Sequence, residues 1–234
     1  MVTIVKPRYD FGPVAQEYDQ WYESREGKRF DRLEKSAVSR LLKPEISGPD
    51  LLEVGTGTGW WSRYFVEKGF LVTGVDISTE MVETARKKSI GGADFQQADA
   101  HELPFADDRF DVVAAITSLE FTTDPVRVLG EMTRCARPRG RLILGILNAE
   151  SSLNRARMKV PGSPFAAAQL MTAAQLRTLL APMGAIRMIP CAFPLAVKFP
   201  EPVSAWIDSL LRWSGSRDNA FLAIEVRLCK SKPN

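Results

Sequence analysis

The sequence predicts an α/β protein built on a doubly wound, seven-stranded sheet, mostly parallel with an antiparallel last strand and with helices on both faces. Short apolar segments alternate with helical segments along the first two thirds of the chain, as buried parallel strands and their crossover helices do. A glycine-rich turn follows the first strand, and a long alternating segment, 219–230, comes near the end. Ligands of such sheets bind at the carboxyl ends of the strands.

The predicted elements follow one another in a regular order. Apolar side chains recur at helical spacing over 28–43, and the Lys43-Pro44 pair ends that helix. Strands are predicted over 50–54, 70–75, 93–98, 110–116 and 141–147. The helices between them are predicted over 60–68, 79–88 and 125–136, with Ser78 and Asp124 as N-caps.

The last third of the chain has a different pattern. A helix is predicted over 172–182, and strands over 186–193 and 219–230 could pair antiparallel. Between these strands, 190–213 is rich in Pro, Phe and Trp, which indicates an irregular apolar cover rather than a second core.

Composition limits the class of protein. The 234 residues include 31 basic and 28 acidic side chains, and this net charge of +3 is weak for a nucleic-acid surface. Cys135, Cys191 and Cys229 form no disulfide or CxxC pattern, and with one histidine they predict no metal site. No leader or membrane-spanning stretch is apparent. We therefore expect a cytoplasmic protein without a membrane partner, whose oligomeric state stays open.

The glycine-rich turn places Gly55, Gly57 and Gly59 between a strand and a helix, where the backbone turns sharply and can approach a ligand closely. The dinucleotide fingerprint needs another glycine where this chain has Trp60. No Gly-Lys-Ser or Gly-Lys-Thr follows the turn either. Nicotinamide and nucleoside triphosphate sites are therefore disfavoured.

Two aspartates end the next two predicted strands. Asp76 can accept both hydroxyl protons of a ribose, and Asp99 can accept from an adenine amino group. Both would lie at the same edge of the sheet as the glycine-rich turn, so the three features together predict a nucleoside site.

These motifs also resemble a known family. The series Glu53-Val54-Gly55-Thr56-Gly57-Thr58-Gly59, Val75-Asp76-Ile77-Ser78, Asp99-Ala100 and Ser118-Leu119-Glu120-Phe121 resembles the class I S-adenosylmethionine-dependent methyltransferases, in their type 11, ubiquinone-type small-molecule branch. The resemblance covers 50–148 and implies a Rossmann-like fold. It implies S-adenosylmethionine as methyl donor and S-adenosylhomocysteine as product.

The resemblance also implies a set of donor contacts. The glycines would face the methionine portion, Asp76 the ribose, Asp99 and Ala100 the adenine, and Thr117 the methyl group. Tyr18 and Tyr22, in a Tyr-Asp-rich opening, would fold over the donor, although ordinary packing is an equal alternative. The full set of expected donor contacts is Tyr18, Tyr22, Glu53, Gly55, Thr56, Gly57, Gly59, Asp76, Ile77, Met81, Asp99, Ala100 and Thr117.

We expect a single methyltransferase domain over 1–234. Its parts would be an N-terminal helical cap over 1–45, a donor-binding core over 46–148, and a C-terminal part over 149–234 with an acceptor-side lid. The lid would be formed by 190–213 with the N-terminal aromatic residues. The expected acceptor is a small molecule; an RNA-directed methyltransferase and a non-catalytic S-adenosylmethionine-binding protein are the alternatives.

Methyl transfer from a sulfonium requires mainly orientation and a dry site. A general base matters only for a poorly acidic acceptor, and the weak candidates are His101 and Glu120. Many relatives have histidine beside the position of Phe121; because this chain has phenylalanine there, the resemblance implies no general base at that position. Around 134–141 the arginines are expected to form a solvated face, whereas Arg155, Arg157 and Lys159 lie nearer the site and leave an anionic small acceptor open.

Overall fold

The computed structural model describes residues 7–42 and 48–229. Seven strands form one sheet in the order β3-β2-β1-β4-β5-β7-β6. The strands are β1 (Asp50–Val54), β2 (Leu71–Asp76), β3 (Ala93–Gln97), β4 (Phe110–Ile116), β5 (Ala136–Leu147), β6 (Gly184–Cys191) and β7 (Phe221–Leu228). The first five pair in parallel, and β7 lies antiparallel between β5 and β6. The predicted fold class and the antiparallel last strand are confirmed.

Ten α-helices surround the sheet in the described ranges. They are α1 (Tyr18–Glu23), α2 (Arg25–Leu41), α3 (Trp60–Glu67), α4 (Thr79–Lys87), α5 (Pro125–Cys135), α6 (Ser152–Met158), α7 (Pro164–Ala167), α8 (Ala173–Leu180), α9 (Pro194–Val197) and α10 (Val203–Trp213). Short 3-10 turns span Gly12–Val14, Leu119–Phe121 and Ala181–Met183. None of the helices described here is long and apolar enough to cross a bilayer.

Buried apolar side chains cover both faces of the sheet. On one face Phe30 of α2 and Phe65 of α3 pack with Phe221 of β7. On the other face Leu129 of α5 and Leu176 of α8 belong to a second cluster. Because both faces are covered, the parallel strands can be apolar along their whole length, which is the pattern that predicted them.

Local sequence signals set most helix starts. Ser78 accepts from the backbone amide of Met81 at 3.2 Å, and Asp124 accepts from that of Arg127 at 3.0 Å. Both predicted N-caps are therefore confirmed. Helix α2 begins at Arg25, earlier than predicted, because Ser24 accepts from Gly27 and caps it. Its predicted end at Lys43-Pro44 lies outside the described residues, as does the predicted last residue of β7, Lys230.

Two predictions about structure were wrong. Strand β5 begins at Ala136 rather than Arg141, because a shift of register lets Phe110 pair with Ala136 before Val112 pairs with Arg141. The segment 190–213 is not irregular: β6 continues to Cys191, and α9 and α10 follow. On α10 the large apolar residues Val203, Trp206, Leu210 and Trp213 are exposed to solvent.

Candidate active site

The glycine-rich turn closes the carboxyl end of β1 and leads into α3. Gly55, Gly57 and Gly59 have φ angles of 74°, 54° and 79°, which side chains rarely adopt. A Cβ on Gly55 would lie 2.3 Å from the side chain of Ser118, so a larger residue at position 55 would force Ser118 to shift. A Cβ on Gly57 would meet no described atom within 4 Å, because this glycine faces an open cavity.

Asp76 fixes the shape of this turn. One carboxylate oxygen accepts a hydrogen bond from the backbone amide of Gly57 at 2.8 Å, and the other accepts from that of Ser78 at 3.0 Å. Burial raises the pKa of Asp76, and these backbone donors oppose that shift. The same carboxylate lines the cavity in front of the turn.

Asp99 and His101 form a second polar pair beside this cavity. Oδ1 of Asp99 lies 2.6 Å from Nδ1 of His101 and accepts from the backbone amide of His101 at 2.9 Å. Both side chains are buried. The other ring nitrogen of His101 lies 3.3 Å from the backbone amide of Asp124. These contacts place His101 as a support for Asp99.

We call this space the donor cavity. Its volume is about 110 Å³, and its walls include Pro7, Phe11 and Tyr18 of the N-terminal segment. The expected donor contacts that line it are Tyr18, Gly55, Gly57, Asp76, Ile77, Met81, Asp99 and Ala100. Ligand pockets usually measure roughly 300–1,000 Å³. The wall formed by 7–24, the part of the predicted N-terminal cap that we call the cap from here on, is therefore expected to move outward when a nucleoside binds.

A second cavity of about 420 Å³ adjoins the donor cavity, and we call it the acceptor cavity. Phe11, Tyr18 and Phe121 line both. Its remaining walls come from the cap, α2, the ends of β4 and β5, α6 and α7, and consist of Tyr9, Val14, Glu17, Trp21, Tyr22, Glu34, Thr117, Leu147, Arg157, Pro164 and Phe165. The expected donor contacts Tyr22 and Thr117 lie here.

Thr117 follows β4 at the boundary of the two cavities. Its φ of 46° is unusual for a β-branched residue. Its backbone amide donates to the carbonyl of Gly145 at 2.7 Å, which holds this conformation. The chain therefore turns at the sheet edge so that residues 117–121 separate the cavities, a kind of backbone strain that is concentrated at functional sites.

Glu53, Thr56 and Gly59 line neither cavity among the described residues. The Glu53 carboxylate lies beneath the turn, where it accepts from the hydroxyl of Thr56 at 3.1 Å and from that of Ser62. Burial raises the pKa of Glu53 to about 8. Glu53 therefore stabilises the turn through its hydrogen bonds with Thr56 and Ser62.

Glu120, the other candidate base, is fully buried and lines neither cavity in the described part of the chain. Its Oε1 accepts from the backbone amide of Leu147 at 2.5 Å, which ties the 119–121 turn to the end of β5. Burial raises its pKa to about 7. The role of either candidate in proton transfer stays a prediction.

Sequence reasoning missed Glu34 as a cavity residue. It lies on the buried face of α2 with Phe30, Ala37 and Leu41, so the acceptor cavity receives a carboxyl group from an otherwise apolar stripe. Burial raises the pKa of Glu34 to about 8. An acidic residue at helical spacing among apolar ones is the signal that could have revealed it.

The cap is held over the donor cavity by polar and aromatic contacts. The Tyr22 ring stacks on Trp60 with centroids 4.6 Å apart. Burial raises the pKa of Tyr18 to about 12, so its hydroxyl stays protonated in the wall that both cavities share.

Residues 190–213, expected to form the lid, contribute none of the described residues that line either cavity. α6 and α7 occupy that place.

The fold and this site together define a class of protein: an open α/β sheet with a cavity at the carboxyl ends of β1, β2 and β3, where sheets of this kind bind their ligands. Residues 52–144 match the model of a family described as a methyltransferase domain. In this domain and in its fold the chain is similar to the class I S-adenosylmethionine-dependent methyltransferases, whose cofactor is S-adenosylmethionine. The open space in front of Gly57 and the positions of Asp76 and Asp99 fit that cofactor.

Individual relatives support the same family. The chain is 34% identical over 146 residues to a malonyl-[acyl-carrier protein] O-methyltransferase of Pectobacterium atrosepticum. This alignment covers 62% of this chain and 53% of that one. The chain is 34% identical over 116 residues to a demethylmenaquinone methyltransferase of Clavibacter sepedonicus, covering 49% and 47%. The chain spans about half to two thirds of the length of the curated relatives it matches.

A solved structure is similar along nearly the whole chain. It is a Thermotoga maritima protein described as an S-adenosylmethionine-dependent methyltransferase, possible histamine N-methyltransferase. The TM-score is 0.71 at 26% identity, and the alignment covers 94% of this chain and 98% of that one. The fold that the sequence predicted is confirmed, and so is the resemblance to the methyltransferases.

Proposed function

We propose that this protein transfers a methyl group from S-adenosylmethionine to a small molecule bound in the acceptor cavity. The observation that carries this proposal is the pair of adjoining cavities, which share Phe11, Tyr18 and Phe121. A donor on one side and an acceptor on the other would meet at this shared wall. The acceptor cavity has the volume usual for a small-molecule site.

The residues of the chain would contribute mainly orientation and exclusion of water. When bound, S-adenosylmethionine supplies an already activated methyl group. Asp76 and Asp99 would hold its ribose and adenine, while Thr117 and the 119–121 turn would set the direction of approach. The cap, α6 and α7 would keep the reacting atoms dry. We propose these parts of one domain, rather than 190–213, as the acceptor-side cover.

The names of the relatives also support an acceptor that is a small molecule or a small group carried on a protein. One is named for demethylmenaquinone, and another is named for a malonyl group on acyl-carrier protein. These names differ in the acceptor, as expected where the donor site is retained and the acceptor walls vary. The wall of this chain is largely aromatic, so the acceptor presents an apolar surface to it.

Calorimetric titration with S-adenosylmethionine, S-adenosylhomocysteine and NAD tests the donor site. We expect binding of the two adenosyl ligands and none of NAD. Transfer of a labelled methyl group from S-adenosylmethionine to a panel of small molecules then tests catalysis. Label that follows RNA would favour the RNA-directed alternative, and binding without any labelled product would favour a non-catalytic protein. NAD binding alone would overturn the proposal.

A further inference from the structure

Arg157 brings a positive charge into the wall of the acceptor cavity. Its guanidinium lies between the rings of Phe30 and Phe165, 5.0 and 4.9 Å from their centroids. Its hydrogen-bond partner within the described ranges is Glu26, at 3.3 Å, and the side chain of Glu26 is 60% exposed. A guanidinium has five N–H donors, so most of those on Arg157 are available to a ligand.

Glu34 does not neutralise this charge at neutral pH. The side chain is buried and has no hydrogen bond or ion pair with any residue of 7–42 or 48–229. Burial raises its pKa to about 8; Asp31 and Glu120 act in the same direction, whereas Arg157 and Lys35 oppose it. A protonated Glu34 therefore adds a hydrogen-bond donor to the cavity and no negative charge.

The surroundings of this pair are otherwise suited to an apolar ligand. Phe11, Trp21, Phe121, Leu147 and Phe165 form much of the wall. A partly buried cation in such a wall is costly unless it is well paired, and the pair of Arg157 with the exposed Glu26 is long, at 3.3 Å. A ligand with a negative group would supply a second partner, whereas an ammonium group would meet a charge of its own sign. Glu17, in the cap, also lies in the wall, so the preference for an anion belongs to the part of the cavity around Arg157.

We propose that Arg157 and Glu34 form a subsite for the carboxylate of an acceptor whose remaining body is apolar. The guanidinium donates N–H bonds to the carboxylate, and the carboxylic acid of Glu34 donates its O–H to it. The apolar body then extends past Phe165 toward Phe121 and Thr117, where the donor cavity begins. This inference rests on the proposed function, because it identifies the acceptor class of the same cavity.

Three eight-carbon probes test this subsite: octanoate, octanol and octylamine, titrated calorimetrically into the protein saturated with S-adenosylhomocysteine. We expect octanoate to bind most tightly and octylamine least. Arg157→Met should weaken octanoate binding by about tenfold or more, as expected for a lost charge-assisted hydrogen bond, and should leave octanol binding unchanged. Arg155→Met is the matched control, because Arg155 lies on the same helix outside the cavity and contacts the carbonyl of Glu150.

A pH series provides an independent readout. Octanoate binding should weaken as the pH rises through about 8, because Glu34 then loses its proton beside the bound carboxylate. Glu34→Gln should remove this dependence while octanoate still binds. The other titratable groups around Glu34 are Tyr18 and Tyr22 of α1, Asp31 and Lys35 of α2, Glu120 of the 119–121 turn, Arg157 of α6 and Cys191 of β6.

Binding of S-adenosylhomocysteine reports the folded state of every variant and separates the two proposals. If the wild type does not bind S-adenosylhomocysteine, the proposed function fails. If every variant binds it but octylamine binds as tightly as octanoate, the carboxylate subsite alone is overturned. Failure of octanoate to bind the wild type, or equal octanoate affinities for wild type and Arg157→Met, would overturn it as well.

Discussion

The hydroxyl of Thr58 donates a hydrogen bond of 2.6 Å to Oδ1 of Asp19, and this contact joins the glycine-rich turn to the cap. The other carboxylate oxygen of Asp19 pairs with Lys88, which follows α4. One side chain of the cap is therefore bonded both to the glycine-rich turn and to the residue that follows α4. Because the donor cavity is smaller than a usual ligand pocket, we expect the cap to move and these bonds to break when a donor enters or leaves.

We predict that Asp19→Ala accelerates both binding and release of S-adenosylhomocysteine by about tenfold, since charge-assisted bonds of about 1.5–3 kcal/mol are lost from the closed state. Stopped-flow tryptophan fluorescence measures both rates, because Trp60 lies next to the turn. Glu23→Ala is the matched control: Glu23 is exposed at the end of the same helix. Rates equal to those of the wild type would show that the cap does not control access.

A second prediction concerns Asp76. Asp76→Ala should weaken binding of S-adenosylmethionine by about 1.5–3 kcal/mol, because it removes hydrogen bonds to a charged acceptor. The change also frees the amides of Gly57 and Ser78, so the turn itself loses support. Calorimetry measures the affinity, and Asp94→Ala, at an exposed position of neighbouring β3, is the control. Unchanged affinity would remove Asp76 from the donor site.

The sequence predicted the strands, the turn and the N-caps of the donor side well because local signals specify them. The alternating glycines, the strand-end aspartates and the N-caps each act within a few residues of their own position. β1 and β4 have the predicted bounds, and Gly55, Asp76 and Asp99 line one cavity.

The acceptor side was not predictable in the same way, since its walls come from distant parts of the chain. Glu34 of α2 and Arg157 of α6 line the same cavity although they lie far apart in the chain. The helix α10 was missed for another reason. Its exposed apolar residues look like a cover in sequence, and no local pattern shows that they face solvent.

A third prediction follows from the buried Glu53. Its pKa is about 8 in the folded protein against 4.5 as the ordinary value. Between these values the folded state holds a proton that the unfolded state has released, so the free energy of unfolding falls as the pH rises. Glu53→Gln should reduce this slope by about 1 kcal/mol per pH unit between about pH 5 and pH 8.

Urea unfolding at several pH values measures this slope. Glu67→Gln, at an exposed position on α3, is the control for loss of a carboxylate. Burial also raises the pKa of Glu34 and of Glu120, so part of the slope remains in the variant. A slope identical to that of the wild type would mean that Glu53 is ionised in the folded protein at low pH.

The last prediction distinguishes the two segments that could cover the acceptor. Phe165 of α7 lines the acceptor cavity and contacts Arg157, whereas Trp206 of α10 is 65% exposed and lies outside that wall. Phe165→Ala should therefore alter the selectivity among labelled acceptors, because it removes a wall that excludes water and orients the substrate. Trp206→Ala should leave selectivity and stability unchanged. Both are read from label transfer to the same acceptor panel.

Phe193 completes this comparison, because it is fully buried in the segment that was expected to be a lid. Phe193→Ala should lower the free energy of unfolding by about 3–5 kcal/mol, the usual cost of removing a buried aromatic ring. At a temperature where the variant is folded, its ratio of activities among acceptors should match that of the wild type. A change in selectivity with Trp206→Ala or Phe193→Ala, and none with Phe165→Ala, would show that 190–213 rather than α7 covers the acceptor.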